Sequence, residues 1–295
     1  MKDVLERFLF EKAPVRGELV KLDATYKEVL ARHNYPQVLQ SRLGELMAAG
    51  ALLSAMLKFD GTLVMQMHGT GALQLLVVEV TSQNTLRATA RWDADKIGQF
   101  DGQDAKASIA ELLGRGRFMI TIDPTVGEAY QGVVGMEVGQ TVAQIIEHYM
   151  THSEQLDTRL WLACEDGIAA GMMLQKMPAQ DDLENTWDHL VTLADTVKNE
   201  ELLQLEPRET LYRLFHEDSA RVFDPATPRF ACTCSRERVG GMIKLMERHE
   251  VDEVLAERGN VHVVCDFCGK EYSFDPVDIG VLYAGDNGPV NHTVQ

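Results

Sequence analysis

A chain of 295 residues that is 45% hydrophobic and 25% charged has the apolar material for a folded core, spread over two or three domains. Its formal net charge of −17 argues against general binding to nucleic acid or to anionic membrane. No apolar run reaches the roughly 18 residues of a membrane span, and the opening MKDVLERFLF mixes acids into its apolar residues without a small-residue cleavage site, so the expectation is a cytosolic protein with no signal peptide.

The first zone, residues 1–177, is expected to open with short helical patterns, among them Asp23–His33 and a long apolar stretch from Pro36 to Leu57. Strands follow. TLVMQMHG places Leu63, Met65 and Met67 on one face; TLRATARW does so with Leu86, Ala88, Ala90 and Trp92, and RFMITID with Phe118, Ile120 and Ile122. GALQLLVVEV is apolar at both parities, the pattern of a strand covered on both sides. TVAQIIEHYM has helical spacing, and TRLWLAC and AAGMMLQKM read as further strands. Helices and strands are interspersed without a βαβ rhythm, so the class is α+β: an N-terminal mixed sheet-and-helix core domain, a helical linker and a small C-terminal domain.

The second zone, residues 178–230, holds twelve acidic against five basic residues. One helical stripe runs through Leu183, Trp187, Leu190, Val191, Ala194 and Val197; EPRETLYRLF gives a second, with Pro207 at a first helical position. Pro225 and Pro228 then break the pattern. Helices with so narrow an apolar face must lie on another part of the chain, as a permanently docked spacer or as a removable cover. The third zone, residues 231–285, carries a helical stretch, RVGGMIKLMERHEVDEVLAERG, and residues 286–295 read as a flexible tail.

Four of the five cysteines fall in this third zone as Cys232-x-Cys234 and, thirty residues later, Cys265-x-x-Cys268 followed by Gly269. In a reducing compartment, paired cysteines serve as metal ligands or redox centres more often than as static disulfides. Four thiolates close a tetrahedral shell around one Zn²⁺, and a C-x-x-C turn ending in glycine suits one half of it. The C-x-C half requires the backbone to bend, because neighbouring alternate side chains of a regular strand do not converge. A zone of about 55 ordered residues with few large apolar side chains also needs a staple. Two readings stand: a static structural zinc site, or a switch in which thiol oxidation expels the metal.

The other candidate groups carry less. His249 and His262 lie near the cysteines and could replace a thiolate, but four sulfurs already fill the shell. Cys164 reads as a packed small thiol. The glycines of MHGTGALQ fit a strand turn better than a phosphate loop. Met65, Met67, Met172, Met173 and Met177 fit a core, or an adaptable binding surface.

The joint cysteine spacing, together with VRGELV, LKFDG, YQGVVG, SEQLDTRL and MMLQKMPAQ in the first zone and CTCSRER and CDFCGKEY in the third, resembles the redox-regulated 33-kDa heat-shock chaperones of bacteria over nearly the whole chain. The resemblance implies an ATP-independent holdase, not an enzyme. When reduced it would hold one Zn²⁺ through Cys232, Cys234, Cys265 and Cys268 and be inactive. Oxidation would form Cys232–Cys234 and Cys265–Cys268 disulfides, release zinc, unfold the C-terminal domain and linker, and open a surface for unfolding client proteins. The oxidised form would be a homodimer and would hand clients to ATP-dependent foldase chaperones. Val239 stands where some members have a further cysteine. Two other functions compete. A thiol–disulfide oxidoreductase using Cys265-x-x-Cys268 needs a βαβ context that the surrounding sequence lacks. A static zinc-ribbon module binding nucleic acid is disfavoured by eleven acidic against six basic residues over residues 231–295.

Overall fold

The computed structural model describes residues 2–56, 60–100, 107–137, 139–178 and 184–284. They form two units, Met1–Ala231 and Cys232–Gln295. The expected flexible tail and Leu183 lie outside the described residues.

The first unit opens not with helices but with an antiparallel pair, β1 (Val4–Phe10) and β2 (Val15–Leu22). Both strands are apolar at both parities because they are buried on both sides. Leu5, Val20 and Leu22 face one core, while Phe8, Phe10, Val15 and Leu19 face another. Alternation, the usual mark of a strand, is erased by that double burial. Helix α1 (Ala24–Leu30) follows, and then the long α2 (Gln37–Met56). Leu39, Leu43, Leu46, Met47, Ala48, Ala49 and Leu52 of α2 are fully buried, each leucine stabilising the fold by about 1.5–3 kcal/mol. A helix apolar all round belongs inside. Here α2 touches β2 in one sheet, and further strands of both sheets introduced next.

Strands β3 (Gly61–Gly69) and β5 (Thr85–Trp92) fall where the alternation predicts, and β4 (Leu73–Thr81) where the run apolar at both parities does. After the short helices α3 (Ala94–Ile97) and α4 (Ile109–Leu113), β6 (Gly116–Pro124) and β7 (Tyr130–Gly135) complete a sheet of order β11-β5-β4-β3-β6-β7, whose β11 is given below. Leu63, Met65 and Met67 pair in register with Ile122, Ile120 and Phe118, so two apolar stripes meet on one face. Helix α5 (Val142–Ser153) starts at a capping box between Thr141 and Gln144. Strands β8 (Thr158–Glu165) and β9 (Ile168–Lys176) pair next to β2. Gly44 of α2 sits so close to β8 that an added Cβ would lie 2.3 Å from Cys164 Sγ.

Residues 184–230 form α6 (Glu184–Ala194), α7 (Asn199–Gln204), α8 (Pro207–Phe215), β10 (Ala220–Val222) and β11 (Arg229–Phe230). Three helices and two strands thus stand where the periodicity gave two helices. The first helix ends at Ala194, so Val197 lies beyond it but still packs against the same core. Strand β10 joins β1, and β11 lies parallel to β5. Leu190, Ala194, Leu202, Leu203, Leu211 and Phe215 cover Phe8, Phe10, Leu19, Met172 and Leu174 of the β10-β1-β2-β9-β8 sheet. The Phe215 ring lies 5.1 Å from that of Phe10, edge to face. Two polar contacts join the same surfaces. Arg208 donates twice to the buried Glu6 carboxylate (2.8 and 3.3 Å), and the buried Lys21 donates from Nζ to the Leu205 carbonyl (2.5 Å).

The second unit contains α9 (Arg236–Lys244), α10 (Arg248–Arg258), the hairpin β12 (Val261–Val264) and β13 (Glu271–Phe274), and α11 (Pro276–Ala284). The expected single helical stretch is two helices. Its break between Leu245 and Glu247 is held by the Tyr283 hydroxyl, which donates to the Ile243 and Met246 carbonyls (2.8 and 3.0 Å). The buried core is Val239, Ile243, Val251, Tyr272, Phe274 and Ile279, which is small for an independent fold.

Candidate metal centre

The two cysteine pairs reach the centre by different backbone devices. Cys265 and Cys268 occupy the β12–β13 turn. There the Cys265 amide donates to Lys270 O (2.9 Å), the Gly269 amide donates to Cys265 O (2.8 Å), and Gly269 takes a left-handed φ of +72°. That conformation favours glycine, which explains the residue after the second cysteine. Cys232 and Cys234 lie in the irregular segment before α9, whose N-terminus is capped by Ser235 accepting from the Arg238 amide. The Arg238 guanidinium also donates to Thr233 Oγ1 (2.8 Å), between the two cysteines.

The four sulfurs lie within 4.8 Å of one another, with Cys232 to Cys265 at 3.7 Å and Cys234 to Cys268 at 3.5 Å. A tetrahedron with Zn–S arms of about 2.3 Å has edges of about 3.8 Å, so this donor set fits a thiolate-bound metal ion of that size. No disulfide joins any of the five cysteines. Burial pushes the Cys234 thiol up, but the Tyr272 hydroxyl 3.1 Å away and the neighbouring sulfurs outweigh it and bring its pKa down to about 7. Burial also raises Cys265, and it pushes Cys268 up to about 12. Burial thus sets Cys265 and Cys268 against becoming thiolates by themselves, and a bound cation removes that resistance.

Around the sulfurs, Arg236 ties the segment to the hairpin and to α11: it donates to Ser273 O (2.8 Å) and Asp278 (2.6 Å) and lies over the Phe274 ring (4.3 Å). Among the described residues, neither His249 nor His262 joins the sulfur group; His262 instead meets Glu271 (3.3 Å) on the hairpin. The Cys265-x-x-Cys268 turn lies in a β-hairpin, not at a helix start of a βαβ unit. Cys164 belongs to β8 in the other unit, where burial pushes its thiol up to about 12. The MHGTGALQ glycines form the β3–β4 turn, closed by the Thr70 and Gly71 amides on Leu113 O (2.9 and 2.8 Å). Met65, Met67, Met172 and Met173 are buried in the cores. Tyr272 is the site residue that spacing did not single out; its position on the inward parity of β13 is the signal that could have found it.

The Hsp33 protein family model matches residues 3–275. A 33 kDa chaperonin of Chromobacterium violaceum is 49% identical over 287 residues, covering 96% of this chain and 95% of that protein. One from Shewanella sp. strain MR-4 is 45% identical over 295 residues and the full length of both. The crystal structure of a 33 kDa chaperonin from Thermotoga maritima superposes with a TM-score of 0.78 at 21% identity, covering 96% of this chain and 98% of the other, a likeness of fold. No helix among the described residues is long and apolar enough to cross a membrane. With a four-sulfur cluster fit for a metal ion in a mixed α+β chain, matched from residue 3 to residue 275, this protein belongs to the Hsp33 family of heat-shock chaperones.

Proposed function

We propose that the protein is a redox-regulated, ATP-independent holdase of the cytosol, inactive while Cys232, Cys234, Cys265 and Cys268 together hold one Zn²⁺. The observation that carries this reading is the convergence of four sulfurs within 4.8 Å in a unit with six buried apolar side chains among its described residues. When bound, Zn²⁺ supplies charge neutralisation for the four thiolates and on the order of 10–16 kcal/mol of apparent folding free energy. Oxidation joins Cys232 to Cys234 and Cys265 to Cys268. Each pair of thiolates gives two electrons to one peroxide, which takes up two protons from solvent, forming one S–S bond and two waters. Sulfurs bonded to each other no longer serve as thiolate ligands, and the small core cannot hold residues 231–285 folded alone.

In this reading residues 1–177 are the client-binding and dimerisation domain, 178–230 a metastable linker and 286–295 a tail. The linker runs directly into Cys232. Its helices α6–α8 cover Phe8, Phe10, Leu19, Met172 and Leu174, so their release exposes a continuous apolar surface for unfolding clients. A cover of this kind needs a gap of only a few kcal/mol between docked and released states, less than the metal term. The oxidised form pairs as a homodimer and passes clients to ATP-dependent foldases. Light scattering of a thermally denatured client tests the switch: the oxidised, metal-free protein is expected to suppress aggregation and the reduced, zinc-loaded protein is not. Equal suppression by both forms would sink it.

A further inference from the structure

The two halves of the sulfur site obtain their hydrogen bonds differently. In the C-x-x-C half the turn supplies its own: the amides of Phe267 and Cys268 are directed at Cys265 sulfur, and the amide of Lys270 at Cys268 sulfur. The C-x-C half lies in neither helix nor strand and is followed by Ser235, which is extended (φ −143°, ψ 164°). Beyond the other three sulfurs, the partner of Cys234 is a side chain, the Tyr272 hydroxyl at 3.1 Å. That hydroxyl is placed by the hairpin and not by the cysteines. Tyr272 pairs in register with Val263, its ring is buried in the small core, and the Lys270 ammonium lies 5.3 Å from the ring centre.

We propose that Tyr272 is a positioning residue of the sulfur site, whose hydroxyl donates to Cys234 Sγ and thereby sets how readily the C-x-C pair is oxidised. The inference rests on the redox reading above. In the first step a sulfur electron pair of Cys234 attacks a peroxide oxygen; the S–O bond forms, the O–O bond breaks and hydroxide leaves. The Cys232 thiol then attacks the resulting sulfenic acid, forming the S–S bond and releasing the oxygen as water that carries the thiol proton, while the hydroxide of the first step takes a proton from solvent. A hydrogen bond to the attacking sulfur withdraws electron density from the pair that must attack, so it slows the first step. It also orients Cys234 in the half that lacks a turn to do so.

Tyr272→Phe in the full, zinc-loaded chain keeps the ring and removes the donor. Zinc release in peroxide, followed with a colorimetric chelator, is expected to run about three- to tenfold faster than in the unaltered protein. In the cobalt-substituted proteins the sulfur-to-cobalt charge-transfer bands are expected to move to lower energy in the variant, a change that loss of packing alone does not produce. Tyr283→Phe is the control, because it deletes a hydroxyl of the same unit that bonds to the Ile243 and Met246 carbonyls instead of to sulfur. It should leave the bands and the release rate unchanged. Identical bands and rates in Tyr272→Phe and the unaltered protein overturn the proposal, as does an equal effect of Tyr283→Phe. Fully oxidised thiols with zinc still bound would instead overturn the redox reading, while the bands still decide whether the hydrogen bond exists.

Discussion

At the scale of single residues, burial decides which titratable groups matter. Glu18 of β2 shares a strand face with Val20 and Leu22, and its Oε2 has no hydrogen-bond partner. Burial raises its pKa from 4.5 to about 8 against the opposing pull of Arg16 and Arg7. Between those two values the folded chain keeps a proton that the unfolded chain releases, so folding stability falls as pH rises through the window and levels off above about 8. Glu18→Gln should remove that slope. The advantage of the variant over the unaltered protein, read as thermal unfolding of the first unit, is expected to grow from about pH 5 to about pH 8, to at most a few kcal/mol. Parallel pH profiles for the two proteins would contradict this. The residue scale also separates Cys164 from the other cysteines: a thiol pushed up to about 12 by burial is a weak nucleophile, however reactive the medium.

At the scale of elements, the strands β3, β5 and β6 were legible because each has one buried and one half-exposed face, and alternation survives. The pair β1–β2 was not, since two cores meet it from opposite sides. Helix α7 and strands β10 to β13 are too short for a period to register. The helices α6 and α8 were visible as narrow apolar stripes, but the stripe cannot name its partner. Phe215 shows what that partner does: it is 2% exposed and packs on both Phe8 and Phe10. Phe215→Ala should cost about 3–5 kcal/mol of local packing. Amide hydrogen exchange in α6–α8 is then expected to speed up markedly, and the reduced, zinc-loaded variant to suppress client aggregation in part. Unchanged exchange across those helices would show that the covering is not held by this contact.

At the scale of the whole molecule, the two units differ in what holds them. The first has an extensive core around α2; the second has, among its described residues, six buried apolar side chains and a sulfur cluster. Chelation of the reduced protein is therefore expected to cost the second unit on the order of 10–16 kcal/mol of apparent stability. Exchange protection should vanish from α9–α11 and β12–β13 while α2 and β2–β4 keep theirs; a second unit that stays protected without metal would refute the assignment of zinc as its staple. The sequence by itself determined the donor set of the candidate metal site, because donor type, number and spacing are covalent facts of a short stretch of chain, as are the glycine after Cys268 and the strands with one buried face. Tertiary structure alone decided that β1 and β2 are strands, what the acidic helices cover, and that a tyrosine hydroxyl meets Cys234. Those outcomes depend on surfaces brought together from distant positions, as Arg208 and Glu6 are across 202 residues, and no local period encodes which faces will meet.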